Sequence, residues 1–267
     1  MVMAIGTACS TQQQQTSIYV TIPPLKQIVE EIVGDDFEVK VVLPQGASPE
    51  TFELSARQMA EISSARWIFA TSLLDFENAI VKRIGERANV VNISRNIELI
   101  GGSCSHCHNH GADPHIWASP RSLICIAQNV FDAIAEELPD STKYGERFAV
   151  LGARLLDLDE ECRELCKTAQ TPYFIIYHPA LTYLARDYGL EQIAIEDNGK
   201  EAGLKRMAEI IDRARKDGIK QILYQREFPR SSVETICNDI GAEPVEIDPL
   251  AEDCIENIRN ILKQICQ

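Results

Sequence analysis

Two histidines and two carboxylates stand in proline-containing segments at four separate places in the chain. They are Glu50 in Gly46-Ala-Ser-Pro-Glu50, His115 in Asp113-Pro-His-Ile-Trp117, His178 in Phe174-Ile-Ile-Tyr-His-Pro179, and Asp248 in Asp248-Pro-Leu250. Imidazole nitrogens and carboxylate oxygens are donors for divalent transition metals. Two of each make a four-donor shell whose charge cancels that of the ion. Singly, each residue has a plainer reading. Glu50 follows Pro49 and could simply complement the dipole of a helix first turn. Each histidine adjoins a proline and could pack in a turn, and Asp-Pro is an ordinary turn signal. Only joint placement at one site favours metal chemistry.

The segment Cys104-Ser-His-Cys-His-Asn-His110 carries a separate signal. The chain has five histidines, and four of them fall between positions 106 and 115. Such tracts, here Cys104, His106, Cys107, His108 and His110, are compositional signs of metal binding, read as an auxiliary metal-collecting loop. A redox Cys-x-x-Cys pair and a surface disulfide are the alternatives, although no helix start follows to lower a thiol pKa. Cys162 and Cys166 lie one helical turn apart and read as core residues. At the N-terminus, small residues lead to Cys9 and then Gln12–Gln15. That pattern resembles the tail of a bacterial lipoprotein signal with Cys9 as lipid acceptor; a disordered start with an incidental cysteine is the alternative. The other eight cysteines are even in number, but their spacing dictates no connectivity.

The four candidate ligands gain meaning from the elements around them. Short β-rich runs alternate with helical patterns: strands at Ser17–Ile22, Glu38–Leu43, Trp67–Ala70 and Val90–Ile93, with helices opening at Pro23-Pro24, around Ser55–Ser64, at Phe76–Arg87 and after Ser119-Pro120. From Ser141 to Thr168 the pattern changes. Tyr144, Phe148, Leu151, Leu155, Leu158, Cys162 and Leu165 recur at spacings of four and three, one face of a helix about 42 Å long. Alternation then resumes, with strands at Tyr173–Tyr177, Gln192–Ile195, Gln221–Tyr224 and Pro244–Ile247. The helices between them are Leu181–Tyr188, Leu204–Lys216, Ser231–Ile240 and Cys254–Gln264. This predicts an α/β fold of two lobes, each a parallel sheet flanked by helices, joined by one long linking helix. The expected division is residues 1–16 as signal remnant and linker, 17–140 as the N-terminal lobe, 141–169 as the linking helix and 170–267 as the C-terminal lobe. In open parallel sheets ligands sit beyond the carboxyl ends of strands. Glu50, His115, His178 and Asp248 all follow strands, two in each half, as a cleft between lobes requires.

Composition narrows the function classes. The 267 residues are 45% hydrophobic and 25% charged, which is globular and excludes disordered and fibrous classes. Acidic residues outnumber basic ones, 40 against 26, for a formal charge of −14. With no basic run to set against that total, nucleic-acid binding is disfavoured. No apolar stretch reaches the length of a transmembrane helix.

Several dispersed segments, in order, resemble the zinc- and manganese-binding lipoproteins of bacterial ABC transporters, the ZnuA/TroA-like solute-binding proteins. They are Gly46-Ala-Ser-Pro-Glu-Thr-Phe-Glu-Leu-Ser-Ala-Arg-Gln58, Asp113-Pro-His-Ile-Trp-Ala-Ser-Pro120, His178-Pro-Ala-Leu-Thr-Tyr-Leu-Ala-Arg-Asp-Tyr-Gly-Leu190 and Ile247-Asp-Pro-Leu250. The resemblance implies two α/β lobes, a long linking helix, and metal ligands at His115, His178 and Asp248. It departs at the first ligand, where the family has Pro-His and this chain has Pro49-Glu50. Zinc members commonly use three histidines and a carboxylate, and manganese members two of each. Zinc members also often carry a His-rich loop before the Asp-Pro-His segment, as here. Zinc is the expected cargo, with manganese or iron the alternative. Zinc accepts carboxylate oxygens in a tetrahedral shell, outranks manganese in intrinsic affinity, and suits the Cys/His tract. The expected partners are the ion and a cognate membrane permease. The expected setting is the periplasm or cell envelope, with the chain monomeric and lipid-anchored through Cys9. No catalytic role is expected, because four protein ligands close the shell that a zinc hydrolase keeps open. A surface adhesin would keep the fold without needing metal selectivity.

Overall fold

The computed structural model describes residues 17–84, 89–101, 111–138, 140–197 and 200–267. In chain order the elements begin β1 (Ser17–Val20), α1 (Pro24–Val33), β2 (Glu38–Val41), α2 (Ala56–Ile62), β3 (Trp67–Ala70), α3 (Asp75–Ile84) and β4 (Asn89–Asn92). Then follow α4 (Pro120–Glu137), α5 (Thr142–Lys167), β5 (Tyr173–Ile176), α6 (Thr182–Tyr188) and β6 (Glu191–Ala194). The chain closes with the two-residue strands β7 (Glu196–Asp197) and β8 (Lys200–Glu201), then α7 (Leu204–Asp217), β9 (Gln221–Gln225), α8 (Ser231–Ile240), β10 (Glu243–Ile247) and α9 (Cys254–Ile265).

Two four-stranded sheets carry the fold, in spatial order β2-β1-β3-β4 and β10-β9-β5-β6, and every pairing within them is parallel. Parallel neighbours need crossovers, which the interleaved helices supply. In each sheet the order in which strands are added reverses beside the first strand, at β1/β3 and at β5/β9, the switch points beyond whose carboxyl ends ligands bind in such sheets. Element ends fall within a few residues of the sequence reading, as helix and strand ends usually do. The helix read as Phe76–Arg87 begins at Asp75, and its expected end lies outside the described residues. The β7/β8 hairpin and a 3-10 turn at Ile116–Ala118 had no periodic signal, being too short to show one.

Local chemistry explains several boundaries. Pro24 opens α1, where a missing N–H costs nothing. Leu25, Ile28, Val29, Ile32 and Val33 are buried along its inner face. Gly34 ends it at φ +59, and Arg147 from α5 caps the freed Val33 carbonyl with a 2.6 Å hydrogen bond. A reciprocal capping box starts α2, with the Ser55 hydroxyl accepting the Gln58 N–H and the Gln58 side chain accepting the Ser55 N–H.

The long helix α5 is 26 residues, about 39 Å. Tyr144, Leu151, Leu155, Leu158 and Cys162 form its buried face. Gly145 does not break it; the Phe131 ring of α4 packs over that position and stacks on Phe148 with centroids 4.8 Å apart. The C-terminal helix α9 returns to pack on α5 and α1. The second sheet therefore buries two distinct faces. Tyr173, Ile175, Ile222 and Tyr224 point into a small core under α7 and α8. Phe174, Ile176 and Leu223, alternate residues of the same strands, join a large core continuous with the first sheet, α4, α5 and α9. The two halves share one apolar interior.

Candidate metal centre

Each candidate ligand is delivered by a loop after a parallel strand. The segment beyond β2 is held to the sheet by Val42 N–H to the Val20 carbonyl at 2.9 Å and Leu43 N–H to the Thr21 carbonyl at 3.1 Å. It turns at Gly46, and the Glu50 N–H reaches the Ser48 hydroxyl at 3.3 Å. His115 enters from the loop that leads into α4. Asp113 is buried, and its Oδ1 accepts both the His115 N–H at 2.8 Å and the Nδ1–H at 2.9 Å. Burial opposes ionisation of Asp113, but electrostatic attraction and hydrogen bonds from His115 outweigh it and hold the carboxyl below its usual range. His178 caps β5. Its backbone is clamped by Gln225, whose amide donates to the His178 carbonyl at 2.5 Å and accepts its N–H at 3.3 Å. Phe228 stacks on the ring, and Glu196 holds Nδ1 at 2.9 Å.

These loops bring Glu50, His115 and His178 together: one donor atom from each lies within 4.8 Å of the others. The two Nε2 atoms are 3.4 Å apart, and His178 Nε2 is 3.1 Å from Glu50 Oε1. Bonds of about 2.0–2.1 Å in a tetrahedral shell put donor atoms about 3.3–3.4 Å apart, so the spacing suits a small divalent ion. Both imidazoles direct Nε2 inward while a buried carboxylate engages Nδ1. That is the carboxylate–histidine–metal arrangement, which fixes ring tautomer and orientation. The cavity has about 30 Å3 of free space, and its wall includes Trp117, Phe228, Pro249 and Leu250. An ion fits such a space; an organic substrate of drug size, needing roughly 300 Å3 or more, does not.

Burial alone would depress the His178 pKa. Hydrogen bonds and charge from Glu196 and Glu50 outweigh it, and the imidazole is pushed up to about 10. At such a value the imidazole is protonated at neutral pH, and it lies between the Glu50 and Glu196 carboxylates.

Asp248 does not join the three. Its Oδ2 pairs with Arg226 Nη1 at 3.0 Å and its Oδ1 accepts the Leu250 N–H at 3.1 Å. Glu227 lines the cavity instead, and burial, reinforced by the neighbouring Asp248 charge, raises its carboxyl above the usual range. Cys9 and the tract Cys104, His106, Cys107, His108 and His110 lie outside the described residues. Cys162 is buried on the inner face of α5, and Cys166 packs against the same core. The sequence reading did not single out Asp113, Glu196, Gln225 or Arg226. Asp113 had a local signal, standing two residues before His115; the other three meet the site only through the fold.

Two parallel α/β sheets surround a shared interior, and beyond their strand ends two imidazoles and a carboxylate converge at a spacing suited to a divalent ion. The chain belongs to the ZnuA family, "Zinc-uptake complex component A periplasmic", whose model matches residues 18–267. It is 27% identical over 263 residues to the zinc-binding lipoprotein AdcA of Streptococcus pneumoniae, covering 91% of this chain and 52% of AdcA. It is 27% identical over 248 residues to the high-affinity zinc uptake system protein ZnuA of Bacillus subtilis, covering 87% of this chain and 78% of that protein. The chain thus spans about half the length of the AdcA relatives it matches. Among solved structures, a zinc-bound ZnuA deletion mutant superposes with a TM-score of 0.86 at 30% identity, over 94% of this chain and 96% of that one.

Proposed function

We propose that this chain is an extracytoplasmic solute-binding protein that captures zinc between its lobes and delivers it to an ABC-transporter permease. The observation that carries this reading is the convergence of Glu50, His115 and His178 at donor spacings suited to a four-coordinate ion, with a carboxylate behind each imidazole. Asp248 is the fourth ligand, and with Glu50 it balances the charge of the ion. The lobes are residues 17–140 and 170–267, joined by the helix of 141–169, and the protein works as a monomer tethered to the envelope through Cys9. Family membership and the zinc-binding names of its relatives support the cargo. The small cavity supports a carrier over a hydrolase, which would need room for a substrate beside the ion.

His115→Ala and His178→Ala should each weaken zinc binding at least a hundredfold in chelator competition, since each removes a direct donor. Unchanged tight binding in both would overturn the site. Manganese is the second reading, favoured by the carboxylate at Glu50 in place of a third imidazole. Competition between equimolar ions decides it: zinc should displace manganese, and retention of manganese would reverse the assignment.

A further inference from the structure

Asp248 stands at the edge of the metal cavity and is held away from it. The next two residues, Pro249 and Leu250, form part of the wall around Glu50, His115 and His178. Asp248 itself lines a larger, adjoining cleft of about 770 Å3, together with Arg226 and Glu252. Arg226 is what faces it there. The guanidinium places Nη1 3.0 Å from Asp248 Oδ2 and Nε 3.2 Å from Glu246 Oε1, so one cation spans two carboxylates of the β10 end. The backbone enforces this neighbourhood: the Arg226 N–H donates to the Ile247 carbonyl at 3.1 Å, immediately before Asp248. Among the described residues, the candidate shell therefore contains three protein donors while a fourth carboxylate waits beside it in an ion pair.

We propose that Arg226 is a latch that holds Asp248 out of the coordination shell until metal arrives and receives it again when metal leaves. This rests on the reading of Glu50, His115 and His178 as the zinc site. The side chain of Arg226 is 51% exposed and that of Asp248 22%, so solvent screens their attraction. A screened pair of this kind shifts an equilibrium by about two- to fivefold. A carboxylate–metal bond exceeds that, so loading breaks the pair, and Asp248 becomes a releasable fourth ligand. A carrier that must surrender its ion to a permease gains from one ligand that already has an alternative partner. Arg226 is a positioning residue; it acts on the ion only through Asp248.

The test compares zinc affinity by chelator competition in wild type, Arg226→Ala, Arg226→Lys, Asp248→Ala and the Arg226→Ala/Asp248→Ala double variant. Cobalt(II) visible absorption in each reads the coordination number. Arg226→Ala should bind zinc two- to fivefold tighter, Arg226→Lys should stay near wild type, and Asp248→Ala should bind at least tenfold weaker with a changed cobalt spectrum. The double variant should match Asp248→Ala alone, because without Asp248 there is nothing to latch. If Arg226→Ala tightens binding equally in both backgrounds, the effect is simple charge repulsion and the latch is overturned. An unchanged cobalt spectrum in Asp248→Ala would also overturn it and leave Glu227 or water as the fourth donor. Tight zinc binding that survives His115→Ala in the same assay would instead bring down the underlying site, whatever Arg226 does.

Discussion

The carboxylates behind the imidazoles make the sharpest single-residue predictions. Glu196 and Asp113 are not among the proposed donors, yet each fixes a ring that is. Glu196→Gln keeps the size and loses the charge, and zinc affinity should fall about 10- to 100-fold, as losing such partners typically does. Isothermal titration would measure it, with circular dichroism showing the fold intact. Proton linkage gives a second expectation. His178 is raised to about 10 without metal, so at neutral pH its imidazole is protonated, and an ion must displace that proton to reach Nε2. Apparent affinity should therefore rise with pH between about 6 and 9, with close to one proton released per ion from this ring. Titrations in buffers of different ionisation enthalpy would count it; no proton release at pH 7 would mean His178 is neutral before loading.

Among the elements, α5 is the organiser. Its Arg147 caps α1, and its Asp159 accepts hydrogen bonds from Arg121 of α4 at 3.0 Å and Tyr188 of α6 at 2.8 Å. Burial opposes ionisation of Asp159, but the Tyr188 hydroxyl and the Arg121 cation outweigh it and hold its pKa below the usual value. A depressed folded pKa contributes stability that is full above the unfolded value, near pH 4, and is lost as pH falls through the folded one. Asp159→Asn should lower stability at pH 7 and flatten that acid limb in urea denaturation. Gly34 offers an independent check on the α1 cap. At φ +59 and ψ −142 its backbone suits only glycine, and an added Cβ would lie 2.6 Å from the Arg147 guanidinium carbon. Gly34→Ala should cost about 1–3 kcal/mol in the same assay.

At the scale of the molecule, the question is how far the cleft can open. Wide hinges need a few loop residues that absorb large dihedral changes. Here a continuous helix connects the two sheets, and one apolar core runs through both halves. Further ties cross near the site: Trp117 donates to the Pro249 carbonyl at 3.0 Å, Tyr183 to the Asp113 carbonyl at 2.7 Å, and Lys26 pairs with Glu252 at 2.8 Å. Metal loading should therefore move side chains and loop tips, with lobe tilts of only a few degrees. Small-angle scattering of metal-free and zinc-loaded protein should give radii of gyration that agree within error; a large closure would contradict the shared core.

Local pattern in the sequence was enough to determine the alternation of strands and helices, the long helical face from Tyr144 to Cys162, and the positions of Glu50, His115, His178 and Asp248 after strands. These features are readable because periodicity and chain order are local properties, written within a few turns of backbone. Whether donor atoms meet at 3–4 Å is not local. His178 lies 63 residues from His115 and 128 from Glu50, and its Nδ1 partner Glu196 carries no motif. Only packing of the two sheets onto a shared core decides that three of the four candidate donors converge. The same packing decides that Asp248, one residue beyond β10, faces Arg226 at the end of β9, because a neighbouring strand end brings a cation within reach of its carboxylate.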